Sequence, residues 1–128
     1  MKTKPSRRAG FTLVEIMIVV AIIGLLSAIA LPNLVKARVT SQTNACINNL
    51  RQIDSAKHQW ALENNQPSSA TPSETDLAPY MGRGEVGLVV NVSGGNVEGQ
   101  LNCPTGGTYT INDIATPPGC DAPGHELP

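Results

Sequence analysis

No catalytic signature runs through this chain. There is no P-loop, no G-x-S-x-G, no H-E-x-x-H and no dinucleotide-binding fingerprint. The pairs Gly94-Gly95 and Gly106-Gly107 are too short and wrongly placed to cradle phosphate, and they read as turns. Neither an enzyme nor a cofactor is therefore expected. Basic side chains are also scarce past Gly10. Of nine Lys and Arg, four (Lys2, Lys4, Arg7 and Arg8) lie in the first ten residues, leaving five against ten acidic groups, a formal charge of -5. Such a body lacks the clustered cations that neutralise phosphates, so no nucleic-acid partner is expected. Trp occurs once, and 128 residues leave room for one domain only.

Charge is almost missing from residues 11–35, where Glu15 is the sole ionisable side chain. Phe11–Leu31 supplies the roughly 20 apolar residues that a helix needs to cross a ~30 Å hydrocarbon layer. Basic residues that flank such a segment stay on the cytoplasmic side. A secretory signal peptide places its small-residue cleavage site after a shorter apolar stretch. Here Ala9-Gly10 precedes the apolar run, so cleavage there removes the basic leader and keeps the helix. Gly24 and Pro32 interrupt that helix. Proline lacks an N–H and clashes one turn back, which predicts a kink or loosening above Ala28; the ordinary alternative is that both are common membrane-helix residues.

The segment Arg8-Ala9-Gly10-Phe11-Thr12-Leu13-Val14-Glu15, continuing through Gly24 to Pro32-Asn33, resembles the prepilin cleavage and methylation motif. Type IV pilins and type II secretion pseudopilins share that motif. The resemblance covers about a quarter of the chain. It implies Gly10 as the cleavage residue, Phe11 as the N-methylated first residue and Glu15 as the assembly carboxylate. It also implies a prepilin peptidase/methyltransferase, a homo-oligomeric helical filament, and pilus or secretion assembly machinery as partners. The place implied is the bacterial inner membrane, with the N-terminus cytoplasmic, the body periplasmic, and an extracellular filament if a pilus is made.

The residues support these roles. A carboxylate in the apolar layer costs about 2.5–3.5 kcal/mol on insertion scales, which marks Glu15 as functional. The alternative is a carboxylate snorkelling to the headgroups. Cleavage creates an amine at Phe11, one helical turn from Glu15. Between staggered subunits, pairing that amine with the next Glu15 selects an axial register, because other staggers leave both charges unpaired in hydrocarbon.

Beyond Pro32, the positions Val39, Cys46, Leu50, Ile53 and Trp60 form one apolar stripe, with Ile47 and Ala61 beside it. The helix is expected to reach about Glu63, before Asn64-Asn65-Gln66-Pro67. Thr71-Pro72-Ser73-Glu74 reads as an N-cap at Thr71, followed by a short helix to about Tyr80-Met81. Val86–Val92 and Val97–Leu101 read as a hairpin about Ser93-Gly94-Gly95-Asn96, and Tyr109–Ile111 as a third strand. The expected fold is α+β: a long N-terminal helix packed on a small antiparallel β-sheet, the pilin fold, with Trp60 as the largest core anchor. The divisions are a leader 1–10, a transmembrane and assembly helix 11–35, and an exported body 36–128.

So small a body buries only about 60% of its unfolded surface and gains from a staple. Three cysteines allow three single pairings. The expected bridge is Cys103–Cys120, closing about 17 residues for roughly 3 kcal/mol and resembling the C-terminal disulfide loop of many pilins. Cys46–Cys103 competes with it, and Cys46 on the stripe also reads as a buried thiol. Cys46, Cys103, Cys120 and His125 make a formal Cys3His set. It lacks tight two-residue knuckles, and an oxidising compartment favours disulfides, so no metal is expected. His58 falls on the polar side of the helix. The function expected is that of a structural subunit of a type IV pilus-like filament. The alternatives are a major pseudopilin of a type II secretion system, towards which the compact body leans, and a low-abundance tip subunit with an adhesive or binding role.

Overall fold

The computed structural model describes residues 9–82, 89–96 and 98–128. Its longest element, α1, spans Leu13–Glu63, 51 residues, and ends at the expected boundary. The chain divides into two units, Met1–Ala37 and Arg38–Pro128.

In the first unit, every described residue from Ala9 is exposed. An 18-residue window of α1 reaches a mean hydropathy of 2.7, long and apolar enough by composition to cross a membrane. Pro32 lies inside α1, and the helical assignment continues through it and through Gly24. Asn33 follows directly, its side-chain amide donating to the Ile29 carbonyl at 3.5 Å.

In the second unit, α1 buries Cys46, Leu50, Ile53, Ala56 and Lys57. The spacing of three and four residues puts these on one face. Against them pack Leu77, Met81, Val90, Leu101, Cys103, Tyr109 and Ile111. Two stripe expectations need correction. Val39 is 55% exposed, since the core begins two turns further on, and Trp60 is only half-buried at its edge. Tyr109 is the largest fully buried side chain.

The short helix α2, Glu74–Leu77, continues as a 3-10 turn over Ala78–Tyr80. Its cap is Ser73 rather than Thr71. The Asp76 backbone N–H donates to Ser73 Oγ at 3.3 Å, and the Ser73 N–H donates to Asp76 Oδ2 at 2.9 Å. This is a reciprocal capping box in which aspartate does the work usually given to glutamate or glutamine.

Among the described residues, four strands form two pairs. β1 (Val89–Val90) lies beside β2 (Gln100–Leu101), and β3 (Tyr109–Thr110) beside β4 (Gly119–Cys120). The α+β class holds, with a long helix and small sheets, but the expected hairpin does not form. β1 and β2 run parallel, Val89 opposite Gln100 and Val90 opposite Leu101. The buried Asn91 amide donates to the Gly95 carbonyl at 2.8 Å and to Asn102 Oδ1 at 2.6 Å. Gly94 and Gly95 both have positive φ, which glycine adopts without a Cβ clash. Residues 86–88 and Val97 of the expected strands lie outside the described residues. β3 and β4 are antiparallel, and β4 is a strand that the sequence pattern did not reveal.

Candidate functional site

The N-terminal candidates lie in sequence order at the mouth of α1. Gly10 and Phe11 precede the helix and are exposed, Phe11 at 83%. Thr12 is the residue before the first helical position. Its hydroxyl accepts the Glu15 N–H at 3.2 Å, while Glu15 Oε2 accepts the Thr12 N–H at 3.3 Å and the Thr12 hydroxyl at 3.4 Å. Thr12-x-x-Glu15 is therefore a second capping box, and it satisfies two N–H groups that a helix start leaves orphaned. The sequence reading passed over it, although the T-x-x-E spacing ahead of an apolar run carries the signal. Glu15 thus has a local task beside any intermolecular one: its carboxylate is held over the first turn of α1.

The second cluster joins distant parts of the body. Cys46 comes from α1, Cys103 follows β2, Cys120 ends β4, and His125 lies near the C-terminal end. Their ligand atoms all lie within 4.8 Å of one another. All three cysteines are free thiols, with Cys103 Sγ 3.6 Å from Cys120 Sγ and 3.5 Å from His125 Nδ1. Cys46, Cys103 and His125 are buried and Cys120 half-buried. Gly107 makes room for the close approach: a Cβ there would lie 2.9 Å from Cys120 Sγ and 2.8 Å from Asp121 Oδ1.

Donors surround the sulfurs. The Tyr109 hydroxyl accepts the Asn49 amide at 2.9 Å and favours the ionised form of Cys46. Thr105 Oγ1 lies 3.2 Å from Cys103 Sγ, and the backbone N–H groups of Thr105 and Gly107 favour its thiolate, as that of Ala122 does at Cys120. Burial raises the Cys103 thiol, but hydrogen bonds from the Thr105 side chain and these N–H groups outweigh it and bring it down to about 6. Burial dominates at Cys46, which is pushed up to about 12, and it also raises Cys120. The imidazole is oriented too. The single hydroxyl hydrogen of Thr43 goes to the Val39 carbonyl at 3.1 Å, so Thr43 Oγ1, 3.2 Å from His125 Nε2, accepts the ring N–H. The bare Nδ1 then faces the sulfurs.

Lys57 escaped the sequence reading. It occupies the stripe position four residues after Ile53, fully buried, and its ammonium donates to the carbonyls of Ile111 at 2.8 Å and Thr116 at 2.6 Å. Nothing in the periodicity distinguishes such a lysine from one on a solvated flank. His58, by contrast, is exposed as its position suggests.

The sequence model of the prokaryotic N-terminal methylation motif matches residues 5–31, the stretch that contains Gly10, Phe11 and Glu15. The chain is thus of the class whose N-terminus carries that motif. Its relatives narrow the class. The type IV major pilin protein PilA of Myxococcus xanthus is 35% identical over 111 residues, 84% of this chain and 50% of that protein. The type IV major fimbrial protein FimA of Dichelobacter nodosus is 34% identical over 100 residues, 67% of this chain and 62% of its own length. The type II secretion system core protein G of Pectobacterium carotovorum is 33% identical over 60 residues, 47% of this chain and 38% of that one. The chain carries the N-terminal methylation motif and is similar both to type IV pilins and to type II secretion pseudopilins. It spans about half the length of the curated relatives it matches. No solved structure shows a significant match.

Proposed function

We propose that the chain is a structural subunit of a type IV pilus-like filament. It is made as a prepilin, cut after Gly10 by a membrane peptidase that also methylates Phe11, and polymerised through residues 11–35. Until assembly it is held in the inner membrane, N-terminus inward and body outward, as the basic leader favours. The observation that carries this reading is Glu15, a lone carboxylate in an otherwise apolar run and four residues past the Gly10-Phe11 junction. The amine released at Phe11 of one subunit pairs with Glu15 of its neighbour and sets the stagger. The similarity to the Myxococcus pilin extends over 84% of the chain, against 47% for the secretion protein, which favours the pilus over the secretion pseudopilin.

The test separates the two tasks of Glu15. Intact mass of the mature chain should show loss of residues 1–10 and one added methyl. Glu15→Gln keeps an amide oxygen able to complete the capping box with Thr12 but removes the charge. It should still insert and fold, and it should assemble as poorly as Glu15→Ala. Normal filament yield from Glu15→Gln would reduce Glu15 to a helix cap, and a mature chain beginning at Met1 would end the prepilin reading.

A further inference from the structure

We propose that Cys46, Cys103, Cys120 and His125 form a structural zinc site that ties α1 to the C-terminal segments of the body. Spacing along the chain argues against such a site because no pair of ligands sits in a two-residue knuckle. The fold removes that objection by bringing the four ligand atoms within 4.8 Å of one another.

The distances suit a metal. Zinc–sulfur bonds of about 2.3 Å and zinc–nitrogen bonds of about 2.0–2.1 Å set tetrahedral edges of roughly 3.8 Å between sulfurs and roughly 3.5 Å from sulfur to nitrogen. The observed Cys103–Cys120 and Cys103–His125 separations are 3.6 and 3.5 Å. A Cys3His set is the composition of a closed, structural zinc centre, and soft thiolates select against magnesium or calcium.

The outer shell is that of a metal site as well. The Thr105 hydroxyl lies 3.2 Å from Cys103 Sγ, within reach to donate to it. Donors of this kind stabilise negative sulfur, the form that binds metal. Thr43 holds the Nε2–H of His125, so the nitrogen facing the sulfurs has its lone pair free. A divalent cation supplies the charge that keeps three neighbouring thiols ionised, and it uses all three cysteines. A disulfide strands one of them inside the core. Binding releases the thiol protons to solvent and involves no change of oxidation state.

The full-length protein, purified in detergent from the cells that make it without chelators or metal-affinity steps, provides the test. Metal analysis should find one zinc per chain, with three thiols titratable after unfolding in chelator. Cobalt(II) exchanged into the protein should show the visible bands of a tetrahedral site and the near-ultraviolet sulfur-to-metal transitions. His125→Gln and Cys46→Ser should each weaken zinc retention at least ~10-fold in competition with a chelator, and Thr43→Val by about 10-fold through the ring's lost partner. If a variant does not fold, the wild-type zinc content and cobalt spectrum decide alone. A metal-free chain whose mass is short by two hydrogens, with a Cys103–Cys120 or Cys46–Cys103 peptide, overturns the proposal. So does another metal at unit stoichiometry, or zinc retained undiminished in both ligand variants.

Discussion

Lys57 carries the least expected energetics at the scale of single residues. Burial disfavours its charged form and lowers its pKa from the ordinary 10.5, while Asp54 and Asp113 pull the other way. Its two carbonyl partners make the burial tolerable. Lys57→Met leaves the carbonyls of Ile111 and Thr116 without that donor, and we expect it to cost about 1–3 kcal/mol in urea unfolding. The pH dependence has a definite sign. With the folded pKa depressed, the stability contributed by this group is full above 10.5 and is lost as pH falls through the lowered folded value. The advantage of the wild type over Lys57→Met should therefore widen as pH rises towards 10.5. Comparing the two proteins cancels the titrations of Tyr109 and the cysteines. A gap that narrows with pH would mean that the buried amine is not the origin of the effect.

Two elements begin with the same device, and they differ in where it is used. The Thr12–Glu15 box opens a 51-residue helix that is long and apolar enough to cross a membrane, and the cap there orders one turn and directs a carboxylate. The Ser73–Asp76 box opens a helix of four residues, of which Leu77 is buried in the core. Ser73→Ala should cost about 0.5–2 kcal/mol of body stability. Asp76 carries an acid signature: the Ser73 hydroxyl, then the Ser73 N–H, hold its carboxyl below the ordinary 3.8. Its contribution is present above 3.8 and disappears as pH falls through the lower folded value. Thermal unfolding followed from pH 6 to pH 2 should show a flatter acid limb in Asp76→Asn than in the wild type. Parallel limbs would show that this carboxylate does not stabilise α2.

On the scale of the whole molecule, the two units differ in what can bury them. Residues 38–128 contain every member of the core and all four residues of the Cys/His cluster. Residues 11–35 are apolar on every face of their helix, and such a helix is buried only in lipid or against copies of itself. A chain reduced to residues 36–128 is expected to remain a soluble, folded monomer and to form no filament, because both the apolar segment and Glu15 are gone. Sedimentation decides this. Ordered filaments from that shortened chain would mean that contacts between bodies build the assembly. A body this small has a marginal core, so its stability should also depend on keeping the cysteine cluster intact.

Local chemistry wrote much of this protein where a reader of the sequence can find it. The basic residues ahead of Gly10, the lone Glu15, the apolar run and the end of α1 near Glu63 depend on residues within a few turns of one another, and composition and helical period reveal them. The face that buries Cys46, Leu50 and Ile53 was legible for the same reason. Tertiary structure alone decided what required distant segments to meet. It gave a parallel pair where a hairpin was expected, with the buried Asn91 amide bonded to the Gly95 carbonyl and to Asn102 beside it. It placed Tyr109 rather than Trp60 at the centre of the core, and it buried Lys57 against carbonyls more than fifty residues away. It also drew Cys46, Cys103, Cys120 and His125 together, since neither the spacing of ligands nor the preference for a disulfide states which loops will close over α1. Periodicity reports which face is apolar, but only packing determines which side chains arrive opposite it.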